Sequence, residues 1–295
     1  MSDKTKTIIA LGYFDSVHTG HRKIIKTAQD IAKEKGFSCA VFTFKGNLNE
    51  YIGKGDKKSI FTPEERKDIF DKICVSDVLF APVTKDFLSL DKGEFLDYLN
   101  SIYDIDCYVC GSDYRFGKLG LGDVDFLREY AQSKCQNVVV EPLVFDQDKK
   151  ISTSLIKELL KEGDIQKANQ LLGDKYFVKG VVFKDRSVGK SIGFPTVNIK
   201  IDAKKSPLKQ GVYAGEVELD KKYKAIINYG GRPTYNLDEK LVEAHIVDFD
   251  GLLYGKEITI KFSRFMREII KFNSEKELTD RLKLDLEEIK GGKYD

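Results

Sequence analysis

Through the first half of the chain, short apolar runs alternate with segments whose apolar residues recur at helical spacing; in the second half the helical segments drop out and strand-like runs follow one another. Runs at 7–11, 39–44, 77–80, 107–110 and 138–143 predict strands, and the segments 22–35, 63–73, 92–101 and 124–133 predict helices. In the first helix the apolar face is Ile24, Ile25, Ala28, Ile31 and Ala32. Thr62-Pro63-Glu64-Glu65 reads as a helix start, with Thr62 as N-cap and proline at the first helical position. Alternation of this kind specifies a parallel sheet with helices on both faces, a Rossmann-like α/β layer whose ligands bind beyond the carboxyl ends of the strands.

Beyond Ile151 a helical passage runs to about Leu172, broken at Gly163-Asp164. Runs at 177–183, 196–201, 212–219, 223–229, 241–247 and 257–262 then predict strands joined by turn residues, which specifies a small antiparallel barrel. The segment 274–286 predicts a closing helix, with Ser274 and Glu277 spaced as a capping box. The boundary falls near Gly173, giving domains at 1–173 and 174–295. Neither an internal repeat nor a low-complexity linker interrupts the chain.

Composition narrows the function classes. The 295 residues suffice for two domains, and 41% hydrophobic with 33% charged residues is a soluble globular balance that leaves apolar side chains for a core in each. Basic and acidic residues nearly cancel, 49 against 47, so the charge lends no support to a nucleic-acid partner. The polar start and the short apolar run after it lack the pattern of a secretion signal, and no run approaches the length of a membrane span. A cytoplasmic protein with no membrane partner is expected. Five scattered cysteines make no disulfide framework. Cys107-Tyr108-Val109-Cys110 spells C-x-x-C, but inside a predicted strand, where small core residues are the expected role.

Candidate chemistry begins where the first strand meets the first helix. His18-Thr19-Gly20-His21 contains two of the three histidines in the chain. A strand, a tight loop and a helix N-terminus present unpaired N–H groups and the positive dipole end to an anion, and imidazoles there can donate hydrogen bonds to phosphate oxygens. The spacing alone would equally suit two ordinary surface histidines. The surrounding residues decide: Gly12-Tyr13-Phe14-Asp15-Ser16-Val17-His18-Thr19-Gly20-His21 resembles the G-x-F-D-G-V-H-x-G-H signature of nucleotidyltransferases, in particular the adenylyltransferase half of bacterial FAD synthetases, with Ser16 where the family has glycine.

Three further segments carry the same resemblance. Gly111-Ser112-Asp113-Tyr114-Arg115-Phe116-Gly117 is similar to G-x-D-F-x-F-G, Gly122-Asp123 to the G-D that follows it, and Ile151-Ser152-Thr153-Ser154-Leu155-Ile156-Lys157 to I-S-S-T-x-I-R. Hydroxyls at a helix start with a cation one turn in can hold a phosphate, although a plain Ser/Thr cap has the same appearance. Two stretches depart from the family: Thr43-Phe44-Lys45-Gly46-Asn47-Leu48 stands for T-F-x-P-H-P, and Lys157 replaces an arginine, keeping the charge without the bidentate fork. The resemblance implies that His18 and His21 serve nucleotidyl transfer, that Gly12, Phe14, Asp15, Gly20, Ser152, Thr153 and Lys157 bind nucleotide, and that Asp113 and Phe116 bind flavin. It implies no protein nucleophile: the phosphate of FMN attacks the α-phosphate of ATP, pyrophosphate leaves, and Mg²⁺ offsets the charge.

The second half resembles riboflavin kinase. The stretch 180–198 is similar to the kinase's glycine loop running into G-F-P-T-A-N, here Gly193-Phe194-Pro195-Thr196-Val197-Asn198. Gly189-Lys190-Ser191 does not make a Walker loop, because Lys184 stands where that motif requires a glycine. Thr196 and Asn198, two apart on an extended strand, share a face, and two neutral oxygens suit a Mg²⁺ that takes its other ligands from water and ATP; T-x-N is also a common solvated face. By resemblance Glu243 is the base that accepts the proton of riboflavin's 5′-hydroxyl, Gly180, Gly189, Lys190 and Gly193 bind nucleotide, Thr196 and Asn198 bind the metal, and Arg267 binds flavin. Leu253-Tyr254-Gly255-Lys256, Lys271-Phe272-Asn273-Ser274 and Asp285 match the kinase in order, while Arg267-Glu268-Ile269 departs from its R-P-E. His245 on a barrel strand reads as structural.

Together these resemblances imply an enzyme of the riboflavin kinase/FMN adenylyltransferase family, with a Greek-key barrel as its second domain. Riboflavin and ATP would give FMN and ADP; FMN and ATP would give FAD and pyrophosphate, the flavins being products rather than resident cofactors. Two alternatives stay open: a kinase whose first domain has lost transfer activity, and a flavin- or nucleotide-binding regulator that makes no product. Thr196, Asn198 and Glu243 speak against the regulator, since binding alone needs no base.

Overall fold

The computed structural model describes residues 5–53, 55–75, 77–184, 193–230 and 241–292. Its chain divides into compact units at Met1–Thr153 and Ser154–Asp295.

In the first unit, β1 (Thr7–Leu11) leads into α1 (Thr19–Lys35), then β2 (Ser38–Phe44), α2 (Leu48–Ile52), α3 (Pro63–Lys72), β3 (Asp77–Ala81), α4 (Lys85–Ser89), α5 (Lys92–Ile102), β4 (Ile105–Gly111), α6 (Val124–Ser133) and β5 (Asn137–Glu141), followed by the small hairpin of β6 (Phe145–Asp146) and β7 (Lys149–Lys150). The strands form one parallel sheet in the order β3-β2-β1-β4-β5. Every residue of β1 is buried, as expected of a central strand covered on both faces. Ile9, Leu11, Phe42 and Tyr108 pack with Phe95, Leu96 and Leu99 of α5 into one core. Strand order changes direction between β1 and β4, and the crevice at such a point, beyond the carboxyl ends, is where ligands of this architecture bind.

In the second unit, α7 (Thr153–Glu162) and α8 (Ile165–Leu172) precede β8 (Phe177–Phe183), β9 (Thr196–Lys200), β10 (Gly211–Glu218), β11 (Lys222–Gly230), β12 (Leu241–Ile246) and β13 (Glu257–Arg267), with α9 (Glu275–Gly291) last. The strands close into a six-stranded antiparallel barrel in the order β10-β11-β12-β9-β8-β13. β10, β11 and β12 run on as neighbours, and β13 returns to lie beside β10, which is the Greek key. Closure leaves no edge strand, and the barrel is filled by Tyr213, Tyr229, Phe262 and Ile260.

Several local readings of the sequence meet their physical cause here. Thr62 caps α3 in a reciprocal box with Glu65. At α9 the reciprocity is displaced: the Ser274 hydroxyl accepts from the Glu277 N–H at 3.2 Å, but the Glu277 carboxylate accepts from Asn273 N–H, one residue outside the cap. β5 stops at Glu141 because Pro142 has no N–H to continue the ladder. Cys107 and Cys110 are free and buried in β4, where burial pushes their thiols up to about 11 and about 12, as inert core residues.

Asp285 of α9 is fully buried between two guanidinium groups, Arg267 Nη2 at 2.7 Å and Arg281 Nη2 at 2.8 Å. Removing the charge strands both arginines against an amide, so Asp285→Asn is expected to lower barrel stability by about 3–5 kcal/mol in urea unfolding. A change below about 1 kcal/mol, the size of an exposed pair, would contradict this account of the helix-to-barrel clamp.

Candidate functional site

The first site is built on the turn from β1 into α1. Phe14 and Val17 sit at φ 45° and 44°, left-handed backbone that a β-branched residue rarely adopts. Both are fully buried, so packing holds the path. At Gly12 an added Cβ would lie 2.5 Å from the Phe14 ring, so the strand end must be glycine. Ser16 is absent from the positive-φ positions, which explains how the loop carries serine where the family has glycine; its hydroxyl bonds with that of Thr153 at 3.0 Å.

His18 is the N-cap of α1: its Nδ1 accepts from the His21 N–H at 3.1 Å. With Nδ1 accepting, the neutral ring carries its proton on Nε2. The two imidazoles stack at 3.6 Å with an interplanar angle of 12°. Desolvation pushes His18 down to about 4, and desolvation together with the neighbouring His18 and Lys150 charges pushes His21 well below its usual value. Both rings are therefore neutral near pH 7. His21 Nδ1 is buried with no hydrogen-bond partner among the described residues.

His18, Gly20 and His21 line a cavity of about 200 Å³ with Gly111 and Asp113 beyond β4, Lys150 and Ile151 after the hairpin, and Ser152 and Thr153 at the start of α7. The cavity thus occupies the crevice at the change of strand order. Gly12, Phe14 and Asp15 lie behind this surface as its support. Phe116 packs in the core against Phe95 and Tyr114 and is not among the cavity's lining residues. Lys157, one turn into α7, belongs to the second compact unit. Asn47 is committed locally: it caps α2 through Asn49 N–H at 2.9 Å and donates to Ser59 Oγ at 3.4 Å.

Two residues emerge that the sequence reading did not single out. Arg66 of α3 is buried, and its guanidinium donates to Phe44 O at 2.6 Å, Thr43 Oγ1 and Lys45 O at 3.2 Å, and Tyr13 O at 3.4 Å. It thereby ties the end of β2 to the loop after β1, with Asp15 close enough to favour its charge against the cost of burial. No periodic or motif signal marks such a role. Lys150 is the other, and it pairs with Asp113 across the cavity.

The second site lies on the barrel. Register places Glu243 opposite Asn198 of β9 on one side and Asn228 of β11 on the other, so three polar side chains form a row across three strands. Thr196, opposite His245, donates its hydroxyl proton to Glu243 Oε1 at 2.7 Å. The hydroxyl's lone pairs remain available to a cation while it donates. Asn198 Oδ1 is buried with no partner among the described residues, a neutral oxygen acceptor of the kind a hard divalent cation takes. The donor set therefore fits a magnesium that draws most of its ligands from water and nucleotide, and among the described residues no cluster of three or more His, Cys, Asp or Glu offers a rival metal site.

Thr196, Glu243, Asn228, His245 and Arg267 line a cavity of about 240 Å³ whose remaining walls, Val212, Ile226, Ile269 and Phe272 among them, are apolar. That combination suits a flat aromatic ligand with a polar tail. His245 Nδ1 lies 2.9 Å from Pro195 O, and its ring meets Phe194 edge to face, so its structural part is to hold the turn that delivers Thr196. Arg267 is aimed by Asp285. Gly193 takes φ 81°, with nothing within 4 Å of an added Cβ among the described residues, whereas Gly180 admits the close approach of β8 to Ile199 and Lys200. Gly189 and Lys190 lie outside the described residues.

Comparison with known proteins covers both units. The FAD synthetase family model matches residues 1–155 and the riboflavin kinase family model residues 172–291. The chain is 34% identical over 292 residues to the bifunctional riboflavin kinase/FMN adenylyltransferase of Bacillus subtilis, covering 97% of this chain and 92% of that one. It is 34% identical over 283 residues to the protein so described in Listeria monocytogenes, covering 94% and 90%. A crystal structure described as a macrolide-efflux protein from Streptococcus pneumoniae superposes with a TM-score of 0.88 at 27% identity, covering 99% of this chain and 97% of that one. No helix among the described residues is long and apolar enough to cross a membrane. With both halves matched in order and the relatives matched over nearly their whole length, the chain belongs to the bifunctional riboflavin kinase/FMN adenylyltransferase family.

Proposed function

We propose that the cavity beside His18 and His21 adenylylates FMN and that the cavity beside Glu243 phosphorylates riboflavin, each with ATP and Mg²⁺, in the cytoplasm. The division between the two activities is placed at Gly173, adjoining the start of the kinase match at residue 172. The observation that carries the reading is the pairing, in one chain, of a phosphate-sized cavity at a helix N-terminus with a base-and-oxygen row on a barrel wall.

In the first reaction a phosphate oxygen of FMN attacks the α-phosphorus of ATP, and the bond to the β-phosphate breaks to release pyrophosphate. The protein's part is positioning and charge stabilisation. Neutral His18 and His21 donate N–H groups without competing as charges, Ser152 and Thr153 hold phosphate oxygens at the start of α7, and the α1 N-terminus adds positive potential. Asp113 addresses the flavin; Phe116 acts from beneath.

In the second reaction the 5′-hydroxyl of riboflavin attacks the γ-phosphorus of ATP, the bond from that phosphorus to the bridging oxygen of the β-phosphate breaks to release ADP, and Glu243 accepts the hydroxyl proton. Thr196 holds the Glu243 carboxylate oriented before substrate arrives. When bound, Mg²⁺ neutralises charge on the transferring phosphates. Thr196 and Asn198 would hold it, Gly180, Gly189, Lys190 and Gly193 would shape the nucleotide loop, and Arg267 with the apolar wall would hold the flavin.

Purified protein given Mg-ATP and riboflavin should yield FMN and then FAD by chromatography; unchanged riboflavin would refute the kinase assignment, and no FAD from supplied FMN and Mg-ATP would refute the adenylyltransferase assignment. Glu243→Gln is expected to cut FMN formation by a factor on the order of 10² or more and to spare FAD formation from supplied FMN; undiminished phosphorylation would remove Glu243 from the mechanism. His21→Ala should give the converse pattern, and equal loss of both activities would refute the separation of sites. The depressed His18 also sets a pH dependence. Between its ordinary pKa of about 6.5 and the folded value of about 4, the unfolded chain binds a proton that the folded one refuses. This contribution to stability is thus complete above about pH 6.5 and lost progressively on acidification, at up to about 1.4 kcal/mol per pH unit. His18→Asn, which keeps a capping side chain, should flatten unfolding free energy against pH in that window; an unchanged slope would contradict the neutral-ring assignment.

A further inference from the structure

Away from both sites, the outer wall of the barrel holds a cavity of about 100 Å³ under the end of α9, with Glu216 of β10, Lys222 and Lys224 of β11, Ser263 of β13 and Lys175 as its polar lining and Ile289 on its apolar side. Register sets Glu216 opposite Lys224. The Glu216 carboxylate accepts from Lys175 Nζ at 2.7 Å, and Lys222 Nζ lies 3.9 Å from its other oxygen. Lys224 Nζ donates to Ile289 O at 3.2 Å, which answers the negative end of the α9 dipole. A ladder that served stability alone would match its charges one to one. Here, among the described lining residues, three ammoniums meet one carboxylate and one helix end. Glu216 is held with its side chain 15% exposed, whereas Lys222 stays 66% exposed at a separation where an ion pair adds little.

We propose that this cavity is a binding site for a phosphate-class oxyanion, held by Lys175, Lys222 and Lys224 and distinct from both cavities assigned to catalysis. A single water needs about 10–15 Å³ of such space, so the cavity admits a tetrahedral oxyanion. Ammoniums bind phosphate as point charges from several directions, and the Ser263 hydroxyl supplies a further donor. The surplus of positive charge selects a multiply charged anion and rejects a metal cation. Val212 and Ile226, which line the cavity beside Glu243, pack in one apolar cluster with Ala214 and Ile289, which line this one, so a ridge separates the two. The same helix walls both, with Leu278 and Leu282 at the cavity beside Glu243 and Ile289 here. An anion bound at the lysines thus sits on the helix that covers the proposed flavin cavity, without touching the row of Asn228, Glu243 and Asn198.

Backbone amide NMR of the full-length protein reads the site through Gly215, Ser263 and Ile289. Titration with inorganic phosphate should shift these resonances to saturation, while chloride at matched ionic strength should leave them in place. Lys222→Gln, a change at an exposed side chain, should raise the half-saturation concentration by about fivefold or more, and Lys222→Arg should restore it. Combining Lys175→Gln with Lys222→Gln should abolish saturation. In phosphate-free buffer Lys222→Gln should leave riboflavin phosphorylation and FMN adenylylation at the rates of the unaltered protein, because the lysine belongs to neither site. Glycerol phosphate as a second titrant separates the sources of the anion: a matching response assigns the phosphate group of a monoester as well as the free ion, an inert one the free ion alone, and both keep the site. Resonances indifferent to phosphate, an equal response to chloride, or a Lys222→Gln midpoint equal to that of the unaltered protein would overturn it.

Discussion

The proposed adenylyltransferase site depends on burying an unfavourable backbone path. Between β1 and α1 the chain carries Phe14 and Val17 through left-handed conformations, at about 1–3 kcal/mol each, and keeps them there because both side chains are fully enclosed. Burial of each is worth about 1.5–3 kcal/mol, enough to offset the strain. The result is a rigid turn that brings His18 onto the end of α1, stacks His21 against it, and leaves the helix N-terminus facing a cavity. Arg66 extends the constraint by tying the end of β2 to Tyr13 O behind that turn. Desolvation of the two rings is a by-product of the same packing, and it fixes them as neutral donors.

The barrel reaches its site by a different constraint. Antiparallel register, rather than a strained loop, puts Asn228, Glu243 and Asn198 side by side, and a slip of one residue would turn the row to the other face. Around that row, support comes from paired groups: Thr196 on Glu243, His245 on the Pro195 carbonyl, and Asp285 on Arg267. One chain thus holds two proposed phosphate-handling sites, one with backbone N–H groups and imidazoles, the other with a carboxylate and neutral oxygens.

The periodic parts of this architecture were legible in the sequence because burial writes them there. β1, fully enclosed, is an unbroken apolar run, and α6 and β8 begin and end where the pattern places them. What escaped was set by tertiary contacts or by short range. α1 begins at Thr19 rather than Arg22 because the His18 ring supplies a cap, and histidine is no ordinary capping signal. α2, α4 and the β6–β7 hairpin are too short to express a period. β13 runs on to Arg267 because β10 continues to pair with it, a contact distant in sequence. At the proposed sites, motif resemblance pointed to His18, His21, Thr196, Asn198 and Glu243, which the fold brings to two cavities or their edges. It could not assign Lys150, whose significance lies in Asp113, 37 residues away and across the crevice, nor Arg66, whose acceptors are mostly main-chain oxygens.

A crystal structure of the protein with FMN and an unreactive ATP analogue tests the central claim most directly. The account predicts the triphosphate of one nucleotide within hydrogen-bond distance of His18, His21, Ser152 and Thr153, in the crevice beyond β1 and β4, with the flavin phosphate beside its α-phosphorus. A nucleotide bound only at the barrel, with that crevice empty at saturating analogue, would contradict it.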